Sequence, residues 1–177
     1  RFGNLGNILD FDNLTEEDIF VLDSPILTNS QFKKFKNIFQ KKIKTIDCSF
    51  DVESSLKDRI EKIREECEVA VREGSSSLIL SDKKISSSRA SIPSILSVGA
   101  VHSHLVKLGL RGYCSINVES SDALDTHSFA ILIGVGATTV NPYLAIDSIY
   151  QRYEKKIFGK SDFESCVVKF KKAIDAG

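Results

Sequence analysis

Methionine and tryptophan are both missing from this 177-residue chain, and proline occurs only three times. Without methionine the chain holds no initiator, and it opens abruptly on Arg1-Phe-Gly-Asn-Leu-Gly6. A piece of a longer or processed protein is therefore expected. Net charge is missing as well: Lys+Arg number 24 and Asp+Glu number 24. A neutral chain with a sequence pI near 7.0 exerts no general pull on nucleic acid or on an anionic membrane, and neither is expected as a partner. No apolar run approaches the roughly 20 residues of a membrane span, and no secretory leader is visible. The four cysteines, Cys48, Cys67, Cys114 and Cys166, form no C-x-x-C pair. That spacing argues against a zinc or dithiol motif. It predicts four separate thiols, mostly in the core of a cytosolic protein.

What is present is ordinary for a globular chain: 42% hydrophobic and 27% charged residues. The length suits one domain across 1–177, with an N-terminal arm over 1–27 and a core over 28–177. A chain of about 150 residues already buries roughly two-thirds of its unfolded surface.

Periodicity and punctuation divide the core. In the arm, Thr15-Glu-Glu-Asp18 could open a short helical turn, and Asp23-Ser-Pro25 ends whatever precedes it. Thr28 and Gln31 fit a capping box. The helix after them should bury Phe32, Phe35 and Phe39 and leave Lys33, Lys34 and Lys36 as a solvated face. Ile43 to Asp47 reads as a strand. Ser54 to Glu73 is the clearest helix, with Leu56, Ile60, Ile63, Cys67 and Ala70 or Val71 on one face and Gly74 as its stop. Ser77 to Ser81 reads as a strand covered on both faces. A polar loop over 82–90 precedes a helix over 93–108, with Pro93 at its first position. That helix carries Leu96, Gly99 or Ala100, His102 or Ser103, and Val106 at helical spacing, and Gly109 ends it. Tyr113 to Glu119 is the third strand, 123–133 a helix, 138–141 the fourth strand, and Pro142 to Tyr153 a helix. Ser161 and Glu164 fit a second capping box, opening a last helix.

The order β-α-β-α-β-α-β-α places the chain in the α/β class. Four or so parallel β/α units would form a partial, degenerate β/α barrel or a small doubly wound sheet, with an extra C-terminal helix. In either, sites gather at the carboxyl ends of the strands. Those ends carry Asp47, Ser81 and Asp82, Glu119, and Asn141. Asp82, Glu119 and Asn141 are the candidate site residues. The alternative is that they are polar because loops are polar, with Asp and Asn capping the following helices. His102 and His104 point about 200° apart on a helix and cannot share a metal. No G-x-S-x-G elbow occurs. Gly134-Val-Gly136 lies between a helix and the next strand, whereas phosphate loops lie between a strand and the next helix. These glycines read as a helix stop and a tight turn.

Several motifs together resemble one family. They are Ser24-Pro-Ile-Leu-Thr-Asn29, Leu78-Ile-Leu-Ser-Asp82, Ser91-Ile-Pro-Ser-Ile-Leu-Ser-Val-Gly-Ala-Val-His102 with His104-Leu105, Gly109-Leu-Arg111, and His127 to Ala145. Their content and order look like the central domain of glutamate synthase. Gly6-Asn-Ile-Leu9 and Phe170 to Gly177 look like its flanking text. The family's triple histidine resembles His102-Ser103-His104 here, its double histidine His127-Ser128, an arginine after Leu-Ser-Asp is Lys83, and an aromatic between two glycines is Val135. The resemblance implies a multidomain parent. An amidotransferase domain releases ammonia from glutamine, and a synthase barrel with FMN and an iron–sulfur cluster makes glutamate from 2-oxoglutarate. It implies that this stretch links the two, spaces them and walls part of the ammonia path, with no catalytic, cofactor-binding or metal residue of its own. It implies the cytoplasm, or a plastid stroma, as location. Two rivals stand beside it: a stand-alone small α/β enzyme or ligand-binding protein using Asp82, Glu119 and Asn141, and an interaction module docking through the Phe32/Phe35 helix and the arm.

Overall fold

Strands buried on both faces fix how this chain is layered. In the computed structural model, which describes residues 22–177, four short strands form a parallel sheet. They are β1 (Ile43–Asp47), β3 (Ser77–Ser81), β5 (Ser115–Glu119) and β6 (Thr139–Asn141), in the order β1-β3-β5-β6. A two-stranded antiparallel sheet, β2 (Ser49–Asp51) with β4 (Arg89–Ser91), sits beside it. Six α-helices are present among the described residues: α1 (Asn29–Ile38), α2 (Leu56–Arg72), α3 (Ser94–Lys107), α4 (Thr126–Gly134), α5 (Tyr143–Glu154) and α6 (Phe163–Ala176). The expected α/β class and parallel pairing are observed. The proposed turn at Thr15–Asp18 lies outside the described residues.

The register aligns side chains in rows across the sheet. Ile46, Leu80, Val118 and Val140 form one row, and Leu78 and Ile116 stand in the next row on the same face. These residues join Ile63, Cys67, Val98, Val101 and Leu105 of α2 and α3 in the main core. Each large side chain fully withdrawn from water contributes about 1.5–3 kcal/mol. Successive strand residues point to opposite faces, and Ile79 accordingly joins a second cluster with Leu27, Phe32 and Phe35. Helix α1 therefore covers the face opposite α2 and α3. The chain enters along β6, where Ile26 bridges Val140 in parallel and the Leu27 amide donates to the Val140 carbonyl at 2.9 Å.

Several boundaries differ from expectation. Pro93 and Pro142 occupy the N-cap positions, one place before α3 and α5 begin. Proline has no amide to donate, so it suits either place. The residues buried on α3 are Ser94, Ser97, Val98, Ala100, Val101 and Leu105, whereas Leu96 and Val106 are exposed. The last helix is capped by Asp162, which accepts from the Ser165 amide, and not by Ser161. The third strand starts at Ser115, after a 3₁₀ turn over Arg111–Tyr113, and the helix expected from 123 starts at Thr126 on an Asp125 cap. The loop expected over 82–90 gives its last two residues to β4. The Thr28/Gln31 capping box is formed as expected.

Candidate functional site

The carboxyl ends of the four parallel strands present Asp47, Ser81, Glu119 and Asn141 as one register row. It faces the α1 side, because these residues are an even number of positions from Ile79 or from its ladder partners. The convergence expected from sequence is thus real for Glu119 and Asn141. Asp82 stands one residue past β3 and its carboxylate engages a different set of groups.

Glu119 is almost fully buried. Its Oε2 accepts from Ser81 Oγ at 2.6 Å. Its Oε1 receives two ammonium groups, Lys36 Nζ at 3.1 Å and Lys83 Nζ at 3.0 Å. Lys36 lies over the Phe32 ring and Lys83 over the Tyr143 ring, at 4.7 and 4.8 Å from the centroids. Burial pushes the Glu119 carboxyl upward, but the Ser81 and Lys83 hydrogen bonds and the Lys36 charge outweigh it and hold it below the ordinary glutamate value. A carboxylate held ionised in this way is a weak base and no proton donor near neutrality; it serves as an anchor between α1, β3 and β5. Sequence reading did not single out Lys36 and Lys83 as its partners. The approach of Lys36, expected on a solvated face, depends on α1 crossing to this side, which local periodicity does not encode, whereas Lys83 comes from the loop after β3.

Asn141 donates from Nδ2 to the Leu27 carbonyl and to Asn29 Oδ1, both at 2.9 Å. It ties the entering chain and the start of α1 to the end of β6. Asp82 Oδ2 accepts from the Ser121 amide at 2.9 Å and from Ser121 Oγ at 2.6 Å, whereas its buried Oδ1 has no hydrogen-bond partner among the described residues. Burial and the neighbouring Asp82 charge push the Tyr143 hydroxyl above its usual range. Asp47 accepts from the Ser49 amide at 3.0 Å and from Arg89 at 3.0 Å. Arg89 also reaches the Ser49 hydroxyl and Asp51, clipping β4 onto β2. None of Asp47, Asp82 and Asn141 caps the next helix: Ser55 caps α2, and the amide at the start of α3 donates to Asp122. The strand-end acids tie loops together.

A second polar layer lies beneath this row. Thr139 Oγ1 donates to Asn117 Oδ1 at 2.8 Å, and Asn117 Nδ2 donates to Ser77 Oγ at 2.8 Å. All three residues are buried and satisfied. The histidines do not converge. His102 Nδ1 accepts from Arg111 Nε at 3.1 Å, and His104 Nε2 pairs with Glu68 at 2.9 Å. Cys48, Cys67 and Cys114 are separate buried thiols and Cys166 is half-buried. Among the described residues no group of three or more His, Cys, Asp or Glu is placed to share a metal ion. These donors do not fit the cysteine set that an iron–sulfur cluster requires. No described helix is long and apolar enough to cross a membrane.

A family model described as the glutamate synthase central domain matches residues 1–177. The chain belongs to the glutamate synthase central-domain family. It is 45% identical, over all of its length, to 12% of the NADPH glutamate synthase large chain of Azospirillum brasilense. The ferredoxin-dependent glutamate synthase, chloroplastic, of Spinacia oleracea is 38% identical over 85% of this chain and 10% of that protein. The NADH glutamate synthase of Schizosaccharomyces pombe is 33% identical over 99% of this chain and 9% of that protein. The chain thus spans about a tenth of the curated relatives it matches.

Proposed function

We propose that this chain is the linking domain of a glutamate synthase, a multidomain enzyme that makes two L-glutamate from L-glutamine and 2-oxoglutarate with reduction. In this reading it is one domain over 1–177. It holds an amidotransferase domain and an FMN synthase domain at a fixed spacing and walls part of the ammonia path. FMN and the iron–sulfur cluster belong to the synthase domain, and the enzyme works in the cytoplasm or a plastid stroma. The observation that carries the reading is the strand-end edge. Its charged and polar groups, Asp82 Oδ1 aside, are engaged by one another, while the segments beyond it expose large apolar side chains: Val52, Ile85, Leu124 and Leu144. Exposed apolar side chains around a closed polar centre fit a surface for a neighbouring domain better than a pocket for a small solute. Relatives named for NADPH, NADH and ferredoxin all match this stretch, which supports a role independent of the electron donor.

The test is made in the full-length enzyme. Ile85→Asp with Leu124→Asp should leave glutamine hydrolysis and ammonia-dependent glutamate formation each near normal and lower their coupling. Unchanged coupling, or stoichiometric FMN on the purified 177-residue chain, would sink the proposal. The unpartnered Asp82 Oδ1 favours a second reading, a small-ligand site built from Asp82, Glu119 and Asn141. A thermal shift with 2-oxoglutarate, glutamate or phosphate that Glu119→Gln abolishes would favour this reading over the linking role.

A further inference from the structure

The helices over the main core have two kinds of outer face. Helix α2 meets water in the ordinary way, with ten charged residues among its seventeen. Its neighbour α3, and α4 packed beside α3, do not. Ser94 to Val106 and Thr126 to Gly134 hold no Asp, Glu, Lys or Arg over twenty-two residues. At the chain's 27% charged composition, about six charges would be expected there. Burial in the core accounts only for the inward side. At 3.6 residues per turn, Ile95, Leu96, Gly99, Ser103 and Val106 share an arc of about 100° on α3. Ile95, Leu96 and Val106 are 40–52% exposed, and Ile133 on α4 is 37% exposed. A Cβ added at Gly99 would meet nothing within 4 Å. The arc is therefore large at both ends and small in the middle, a shallow apolar groove between Leu96 and Val106. A helix apolar all round belongs in an interior, and depletion of charge is the mark of an interface core.

Two observations bear on what covers this face. The chain covers only 9–12% of the length of its relatives, so most of each relative lies outside the matched stretch. The last residue, Gly177, lies against Thr126, the first residue of α4: a Cβ added at Gly177 would stand 2.8 Å from Thr126 Oγ1. A domain that follows residue 177, as the linking reading requires, starts beside the charge-free face. The covalent tether then holds it there at a high effective concentration. A face without charge favours an apolar surface over an acidic or basic one, since a buried unpaired charge is costly.

We propose that the outer face of α3 and α4 is the seat of the domain that follows residue 177 in the parent enzyme. That domain lays an uncharged, apolar surface across Leu96, Val106 and Ile133, and approaches closest over Gly99, where no side chain stands in the way. The inference rests on the linking reading and deepens it. The strand-end edge is one docking surface of the linking domain, and the outer face of α3 and α4 is a second.

Hydroxyl-radical footprinting read by mass spectrometry, on the 177-residue chain and on the full-length enzyme, tests it. Leu96, Val106 and Ile133 should be oxidised in the 177-residue chain at high dilution and several-fold less in the full-length enzyme. Equal oxidation in the two would overturn the proposal. Protection already present in the 177-residue chain would also overturn it, and a rise of that protection with concentration would assign the face to a second copy. Val52 and Ile85 report on the strand-end edge in the same experiment. Protection of those two alone would remove this inference and leave the linking role standing, whereas exposure of all five side chains would remove both. Gly99→Arg gives a second readout. The open space at Gly99 and the better helix propensity of arginine should keep the unfolding temperature of the 177-residue chain at or above its original value. In the full-length enzyme the same substitution should restore oxidation of Leu96 and Val106 several-fold. Protection retained in that variant would overturn the proposal.

Discussion

Gly136 shows how one residue fixes a junction. Its φ of +119° lies where side chains are disfavoured, and a Cβ added there would fall among the ring atoms of His102. The Arg111 guanidinium donates to the Gly136 carbonyl at 2.8 Å and to His102, so helix end, histidine and arginine form one unit. Gly136→Ala should therefore cost about 1–3 kcal/mol in denaturant unfolding. Gly74 also has a positive φ, +95°, but open space around its added Cβ. Gly74→Ala should cost less, about 1 kcal/mol of backbone strain. Equal losses would mean that the His102 clash is relieved without effort. The same unit has a pH signature. Burial first, then the Arg111 charge, hold the His102 pKa below its ordinary value. A group with a depressed folded pKa contributes stability that is present above the unfolded value of 6.5 and is lost as pH falls through the folded pKa. His102→Asn keeps an acceptor for Arg111 without a titrating ring. Its stability should be flatter than that of the parent chain as pH drops below about 6.5, measured by denaturant midpoints.

At the scale of elements, caps and faces can be tested separately. Asp162 accepts the Ser165 amide at 2.8 Å at the start of α6, so Asp162→Ala should cost about 1 kcal/mol. Ser161→Ala should cost almost nothing. The reverse result would restore the cap that spacing alone suggested. On α3, Leu105 is fully buried and Leu96 is exposed, so Leu105→Ala should lose about 2–5 kcal/mol and Leu96→Ala within about 0.5 kcal/mol. Why sequence misplaced that face is plain from its composition. Ile95, Leu96, Val98, Ala100, Val101, Leu105 and Val106 surround the helix, so no stripe is marked out. In α2, by contrast, charges fill the outer face, and the predicted Ile63, Cys67, Ala70 and Val71 are the residues buried. The parallel strands were legible because apolar runs between glycine and polar stops are short and regular. The β2–β4 pair was not: Ser49, Asp51, Arg89 and Ser91 carry no apolar alternation, and their pairing is held by Arg89 across a long separation. The strand-end row was legible because sites gather at the carboxyl ends of parallel strands, where Glu119 and Asn141 stand. Asp82 falls out of the row because it is one residue past the strand, and the register between strands was not legible.

For the whole molecule, the two faces of the sheet are stabilised in different ways. The α2–α3 face is an apolar core. The α1 face mixes the Phe32–Phe35–Ile79 cluster with buried polar rows, so α1 is seated partly by charge. Glu119 is the centre of that seat, and its titration should report on the fold. Its folded pKa is lowered, because the Ser81 hydrogen bond and the two lysines outweigh burial. The sign follows: its contribution is present above the ordinary glutamate pKa and is lost as pH falls through the lower folded value. Glu119→Gln removes the charge, keeps the size, and leaves Lys36 and Lys83 facing each other without their shared anion. At pH 7 it should cost about 1.5–3 kcal/mol, the range for hydrogen bonds to a charged group. Lys36→Met or Lys83→Met should each cost less, since the other ammonium remains on Oε1 and both lysine heads are partly solvated. The gap between Glu119→Gln and the parent chain should then narrow as pH drops below about 4.5, where the carboxyl of the unfolded chain takes up its proton while the folded one still holds its charge. A gap that stayed constant across that range would show that shape, and not charge, seats α1. The strand-end row would then owe its geometry to packing alone.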